Sequence, residues 1–324
     1  MNPSIRSLTS ANRRDFLRRS LSGMGGAALA ATYGKLALAG DEPPKATEFQ
    51  IACMTLPYAR FSLERALQGI HDAGYRYVAW GTNHRDVDGK AAPLMAPDAP
   101  PQKAAELAKR CRDLGLEPLM MFSTIYPEQP NAVSVLTQRI HQASAAGIPQ
   151  VLTFGHTEGG NRELWIERFK QLAPIARDNH VQIVVKQHGG STGTGAACAE
   201  ITRAVDDEAI KVNYDAGNVM DYLNLDPLAD IKTCAGEIRG FCIKDHRDFP
   251  RDEDCGPGFG EIDHYKLLAT VARTGRKMPL CCENISAPLL PPPEKPEGVD
   301  ALARRAREFL EVVVAGLAQM PAAK

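Results

Sequence analysis

The sequence predicts a (β/α)8 barrel, and three observations carry that prediction. From residue 48 onward, eight short apolar or β-branched runs alternate with longer segments whose apolar residues recur at three and four spacing. The short runs are continuously apolar, as parallel strands covered on both faces read. After the first of them stands "CMTLPYARFS" (53–62), with none of the glycines that an open dinucleotide-binding sheet places at that turn. Eight strand-helix repeats favour closure into a ring over an open sheet.

The first strand is "FQIACMT" (49–55), and the helical pattern "SLERALQGIHDAG" (62–74) after it ends on a glycine, the residue helix C-termini prefer. The second strand is "YRYVAWG" (75–81), followed by "PPQKAAELAKRCRDLG" (100–115), again glycine-terminated. Strands three to six are "LEPLMMF" (116–122), "QVLTFG" (150–155), "VQIVVKQ" (181–187) and "IKVNYD" (210–215). The seventh, "IRGFCIK" (238–244), leads into "DHRDFPRDEDCGPGFGE" (245–261), too long for a plain connection and so a candidate binding loop or lid. The helical "DHYKLLATVARTG" (263–275), the eighth strand "MPLCCEN" (278–284), the proline-stiffened "PLLPPPEKPEG" (288–298) and a last helix over 299–318 complete the series. Residues 41–324 thus read as one barrel domain.

The first forty residues have a different character. "NRRDFLRRS" (12–20) sets Arg13 and Arg14 before Phe16 and Leu17, a weakly apolar run follows, and "ALAG" (37–40) offers a small-x-small cleavage site after Ala39. That order matches a Tat export signal, which predicts a periplasmic or extracellular protein handled by the Tat machinery. No other stretch approaches the roughly 18 apolar residues of a membrane span. With 38 Lys and Arg against 39 Asp and Glu, the net charge of -1 offers no basic field for nucleic acid. Of the eight cysteines, Cys53, Cys242, Cys281 and Cys282 lie in strand-like runs, where a free thiol serves as a small buried hydrophobe.

In such a barrel the βα loops gather chemistry at the carboxyl ends of the strands. Lys186 ends the fifth strand with His188 two residues on; Asp215 ends the sixth with Asn218 beyond it; Cys242, Lys244 and His246 share a parity at the seventh; Glu283 tops the eighth above Cys281. Trp80, His84 and His156, at or just past the ends of the second and fourth strands, join Asn218 as candidate substrate contacts. Asp215 and Glu283 would repel each other in a desolvated mouth unless a cation lay between them. One divalent ion (Mn, Mg, Co or Zn) held by Asp215, Glu283, His188 and His246 would serve, and would polarise a substrate carbonyl. Lys186 or Lys244 would serve equally without a metal, and a lysine of lowered pKa could be the base. Lys186, Lys244 and Glu283 are therefore the candidate catalytic residues, and no nucleotide cofactor is expected.

"NYDAGNV", "FCIKD", "GPGFGEIDH" (256–264) and "CCEN" resemble the strand-end motifs of the sugar phosphate isomerase/epimerase, or xylose-isomerase-like, barrel family. The resemblance spans nearly the whole chain after the signal and implies Asp215 and Glu283 as metal ligands, with Glu283 a possible base. It departs at two ligand positions: Lys186 stands at the fifth-strand glutamate and Cys242 at the seventh-strand histidine. The expectation is an exported isomerase, epimerase or lyase acting by proton abstraction next to the carbonyl of an unphosphorylated sugar or polyol derivative. The alternative is a carbohydrate-binding barrel with a degenerate metal site. A phosphodiester hydrolase of the same fold would need several histidines around multiple ions and a basic face.

Overall fold

The eight strand-like runs hydrogen-bond side by side into a closed parallel barrel. A computed structural model describes residues 45–86 and 88–320; the expected export signal over residues 1–40 lies outside the described residues. In chain order the first half comprises β1 (Glu48–Met54), α1 (Leu63–Asp72), β2 (Tyr77–Trp80), a hairpin of β3 (Asn83–Arg85) and β4 (Ala91–Pro93), α2 (Pro101–Asp113), β5 (Glu117–Phe122), α3 (Ala132–Ala146), β6 (Gln150–Phe154) and α4 (Arg162–Asp178). The second half comprises β7 (Gln182–Lys186), α5 (Gly195–Val205), β8 (Ile210–Tyr214), α6 (Ala216–Leu223), α7 (Pro227–Cys234), β9 (Ile238–Ile243), a hairpin of β10 (Asp245–Arg247) and β11 (Glu253–Cys255), α8 (His264–Ala269), β12 (Lys277–Cys282) and α9 (Pro296–Ala318). Around the ring the order is β1, β12, β9, β8, β7, β6, β5, β2, so barrel strands adjacent in sequence are adjacent in space, as right-handed crossovers dictate.

Period-two alternation divides the apolar residues into two cores. Ala52, Met54, Ala79, Met120, Leu152, Val184, Cys242 and Cys281 point into the barrel. Their strand neighbours Cys53, Val78, Val151, Ile183, Val185, Phe241, Leu280 and Cys282 face the helices. A fully buried Leu, Ile or Phe contributes about 1.5–3 kcal/mol relative to exposure, so these layers carry the fold. All eight cysteines are free and buried, in keeping with small hydrophobes. Trp80 belongs to the outer core and is 1% exposed. It has no surface for a substrate, which corrects the expectation that it contacts one.

Helix starts are set by side-chain caps. Ser62, Asn161, Thr194, Asp215, Asp226 and Asp263 each accept a backbone N–H of the first turn, satisfying donors that have no partner within the helix. The expected strands are all present but most are shorter at the carboxyl end, and the reason is local. Asp215 leaves the ladder to cap α6, and β9 stops at Ile243 because Asp245 begins the β10–β11 hairpin. The long connection after β9 is therefore structured. The buried Asp245 carboxylate accepts the N–H groups of His246 (2.9 Å), Gly258 (2.9 Å) and Ile262 (3.0 Å), fastening both ends of the loop to the barrel rim. No helix among the described residues is long and apolar enough to cross a membrane.

Candidate active site

Four strands deliver the centre of the site. Lys186, the last residue of β7, is 3% exposed and reaches across the mouth of the barrel. Its ammonium donates to both carboxylate oxygens of Glu283, at 2.7 and 2.8 Å, and stands 3.2 Å from Oδ2 of Asp215. Glu283 follows β12 directly, on the same parity as Cys281 beneath it. Asp215 is fully buried at the N-terminus of α6, where Oδ1 accepts the Asn218 N–H at 3.0 Å. Lys244 follows β9, is 7% exposed, and donates to Asp254 on β11. Gly217 makes room for it: a Cβ there would lie 2.7 Å from Cγ and Cε of Lys244.

The electrostatics follow from this packing. Burial alone would lower the Lys186 ammonium, but Glu283, Asp215 and Cys242 outweigh it and hold the pKa well above the usual lysine value. Lys244 is likewise raised, burial being outweighed by Asp215, Asp254 and Glu283. Neither lysine is the low-pKa base that the sequence left open. Burial raises Glu283, and Asp215 adds to this while Lys186 opposes it. For Asp215 burial is overcome by Lys244, Lys186 and the Asn218 N–H, so it stays lowered. The two carboxylates are thereby separated in role, with Glu283 the one that takes a proton first.

Glu283 and Lys244 both line a cavity of about 320 Å³, with Leu56, Arg60, Asn284 and Ser286 among the other walls. A carboxylate has about four lone-pair directions, and Lys186 engages one on each Glu283 oxygen, so acceptor capacity remains toward the cavity. On the far side of Lys186 runs a row of rings. The Phe154 centroid is 5.6 Å from Nζ, and His188 lies between Phe154 (4.6 Å, tilted) and Tyr222 (5.3 Å, edge-on). Tyr126 continues the row against Phe154, and both line a second cavity of about 430 Å³.

The remaining expected site residues are placed as follows. His188 donates through Nδ1 to the Gly155 carbonyl at 2.8 Å, and burial followed by the Lys186 charge lowers its pKa. It sits beside the centre as part of the aromatic row and does not join Asp215 and Glu283 as a third ligand. His246, 1% exposed, lies on β10 with Nδ1 3.1 Å from Asp254, and its Nε2 faces Asp248 and Asp252 at 3.3 and 3.4 Å. It groups with Asp221 and Asp252, apart from the Lys186 centre. Asn218 is buried and donates through Nδ2 to the Gln187 carbonyl at 2.6 Å, so it positions the backbone next to Lys186. His84 is 4% exposed, with Nδ1 3.2 Å from the Phe61 carbonyl, and is closed to a substrate. His156 is exposed and stacks on Tyr126 at 3.9 Å, a rim position.

Sequence reasoning missed Asp254, which joins Lys244 to His246 and lines the cavity. It also missed Gln187, whose Oε1 accepts the Asp215 N–H at 2.8 Å. The hairpin over 245–255 brings Asp254 there by pairing it with His246.

A divalent metal does not fit the central arrangement. Asp215, Cys242 and Glu283 offer ligand atoms within 4.8 Å of one another, a donor set suited to a cation. The cation among these carboxylates is the Lys186 ammonium itself, already in contact with three of their oxygens. A dication sharing those oxygens would stand about 3 Å from it, a repulsion on the order of 10 kcal/mol at an effective dielectric constant near 20.

Residues 67–310 match the family model of the Xylose isomerase-like TIM barrel. The chain matches no curated protein. Among solved structures, an L-ribulose 3-epimerase aligns at 20% identity over 83% of this chain and 96% of that one, with a TM-score of 0.62. The IOLI protein with a binding zinc atom aligns at 15% identity over 84% and 100%, with a TM-score of 0.64. A D-psicose 3-epimerase in the presence of D-fructose aligns at 12% over 82% and 100%, with a TM-score of 0.62. At these identities the solved structures share the fold, whereas the family model spans three quarters of the sequence with the strand-end residues Lys186, Asp215, Lys244 and Glu283 inside it: the chain belongs to the xylose isomerase-like TIM barrel family.

Proposed function

We propose that the protein is an exported sugar isomerase or epimerase, or a related lyase, that removes a proton next to the carbonyl of an unphosphorylated sugar or polyol derivative. The observation that carries this reading is that Glu283 and Lys244 line one cavity while Lys186 balances the Glu283 charge from below. Glu283, its basicity raised by burial, accepts the α-proton. The Lys244 ammonium, held by Asp254, donates to the carbonyl oxygen as charge develops there, the kind of preorganised stabilisation that matters most in a desolvated site. Return of the proton by Glu283 to the neighbouring carbon gives an isomer, and protonation of the original carbon by water on the face opposite Glu283, with the abstracted proton passing to solvent, gives an epimer. Loss of a leaving group from the β-carbon gives a lyase product. Lys186 and Asp215 set the position and charge of the base.

The epimerase neighbours are named for L-ribulose and D-psicose, in keeping with a small sugar substrate, and the aromatic row beside Lys186 offers apolar faces of the kind sugar C–H groups pack on. The IOLI protein is named with a zinc atom; in this chain the positive charge between Asp215 and Glu283 is the Lys186 ammonium. The reading of export rests on Arg13, Arg14, Phe16 and Leu17 and the small-residue site after Ala39; it favours substrates found outside the cytoplasm, hence unphosphorylated ones. The test is solvent deuterium exchange into a panel of keto-sugars, followed by NMR. Exchange that disappears in Glu283→Gln supports the reading, and its absence from every sugar with the wild-type protein would leave a carbohydrate-binding barrel instead.

A further inference from the structure

We infer that Lys186 is a built-in replacement for a metal ion, so that the centre of the wild-type barrel binds none and removal of this single side chain uncovers a divalent-cation site made of Asp215, Glu283 and Cys242. Three features argue for it. The ligand atoms of Asp215, Glu283 and Cys242 converge within 4.8 Å, closer than unneutralised buried carboxylates tolerate. The ammonium stands inside that group, in contact with both carboxylates. Its stem is enclosed, with the side chain only 4% exposed, so it cannot swing into solvent to admit an ion.

The three donors are two hard oxygens and one sulfur, a combination that zinc accepts and that magnesium and calcium do not favour. In the wild-type protein Cys242 remains a buried thiol. Once Lys186 is truncated to alanine, the volume of its stem and ammonium is open, and the two carboxylates carry a charge that a dication can neutralise. On binding, the Cys242 thiol releases its proton to solvent and its thiolate takes a coordination position, with water completing the shell. The inference does not depend on turnover. It would stand even if no keto-sugar exchanged deuterium, and it would fall on metal measurements alone.

The experiment measures zinc by equilibrium dialysis and elemental analysis on the purified protein, then cobalt by absorption spectroscopy. The wild type and Asp215→Asn are expected to hold the same amount of metal, because nothing in the wild type binds at Asp215. Lys186→Ala is expected to bind one zinc per chain more than the wild type, and Lys186→Ala/Asp215→Asn is expected to lose it. Comparing these pairs cancels any metal held by the separate Asp221, His246 and Asp252 group. Cobalt in Lys186→Ala should show a thiolate-to-metal charge-transfer band that Lys186→Ala/Cys242→Ala lacks. Lys186→Met, which refills the space without charge, should gain no zinc. The inference is overturned if the wild type holds a metal that Asp215→Asn loses, an outcome readable even if Lys186→Ala does not fold. It is equally overturned if folded Lys186→Ala gains no zinc.

Discussion

Replacing Lys186 with methionine keeps the unbranched apolar stem of the side chain and deletes the ammonium with its hydrogen bonds to Glu283. The ammonium touches Glu283 at 2.7 and 2.8 Å and Asp215 at 3.2 Å, and Asp215 has no exposure through which water could replace it. Breaking a buried ion pair by removing one partner costs about 3–5 kcal/mol, and here the deletion also leaves two carboxylates facing each other. For a domain of this size that corresponds to a fall in Tm of about 6–10 °C. The cost should depend on pH with a definite sign. As pH falls, Glu283, whose pKa burial already raises, takes a proton and the repulsion disappears, so the gap between Lys186→Met and wild type narrows toward acid. In the wild type the raised Lys186 pKa means its stabilisation is complete below the unfolded lysine value and is lost only as pH rises through the folded one. Denaturant unfolding of both proteins across the acid-to-neutral range measures this directly. Adding Asp215→Asn and Glu283→Gln to Lys186→Met should recover most of the loss, since the whole charged cluster is then neutral. A Lys186→Met cost below about 1 kcal/mol that does not change with pH is what an exposed lysine would give, and it would refute the placement of the ammonium between the two acids.

Glu283→Gln should cut deuterium exchange by about 10²–10⁴-fold, the usual worth of a positioned base, with an unchanged circular dichroism spectrum. Because the base must be ionised, the rate should fall as pH drops through the raised Glu283 value, and a pH profile of kcat/KM should place that limb above the ordinary carboxylate range. Gly217→Ala should lower kcat/KM on the order of 10²-fold by pushing Lys244 aside, while the melting temperature changes little because alanine suits a helix better than glycine. Asp215→Ala should be less stable than Asp215→Asn by about 1 kcal/mol in denaturant titrations, because asparagine still caps α6 and alanine cannot.

The barrel was legible because its strands are buried on both faces and therefore read as unbroken apolar runs. The strand ends were less so, since Asp215 and Lys244 leave the hydrogen-bond ladder to cap or pair, a tertiary event with no local signature. The three-residue strands over 83–93 and 245–255 escaped notice because so short a run has no period to detect. Their hairpin register is what brings Asp254 to His246, so the residue that links Lys244 to the loop was invisible for the same reason.

The centre of the site was readable for an energetic reason. A charged residue at the end of an apolar strand cannot be buried without a partner, so Lys186, Asp215, Lys244 and Glu283 had to find one another if the ring closed. The histidines failed because the parity rule was carried past the end of the pleat. β7 stops at Lys186 and the chain turns at Gly189, φ 75°, so His188 swings out to the Gly155 carbonyl. β9 stops before Lys244, so His246 belongs to the hairpin. Alternation fixes side-chain direction only while the ladder lasts. The same consideration explains why the two departures from the family pattern, Lys186 and Cys242, belong together. An ammonium between Asp215 and Glu283 supplies the positive charge they need, so the inward position on β9 can hold a small thiol, paired in register with Cys281, in place of the histidine that the resemblance implies.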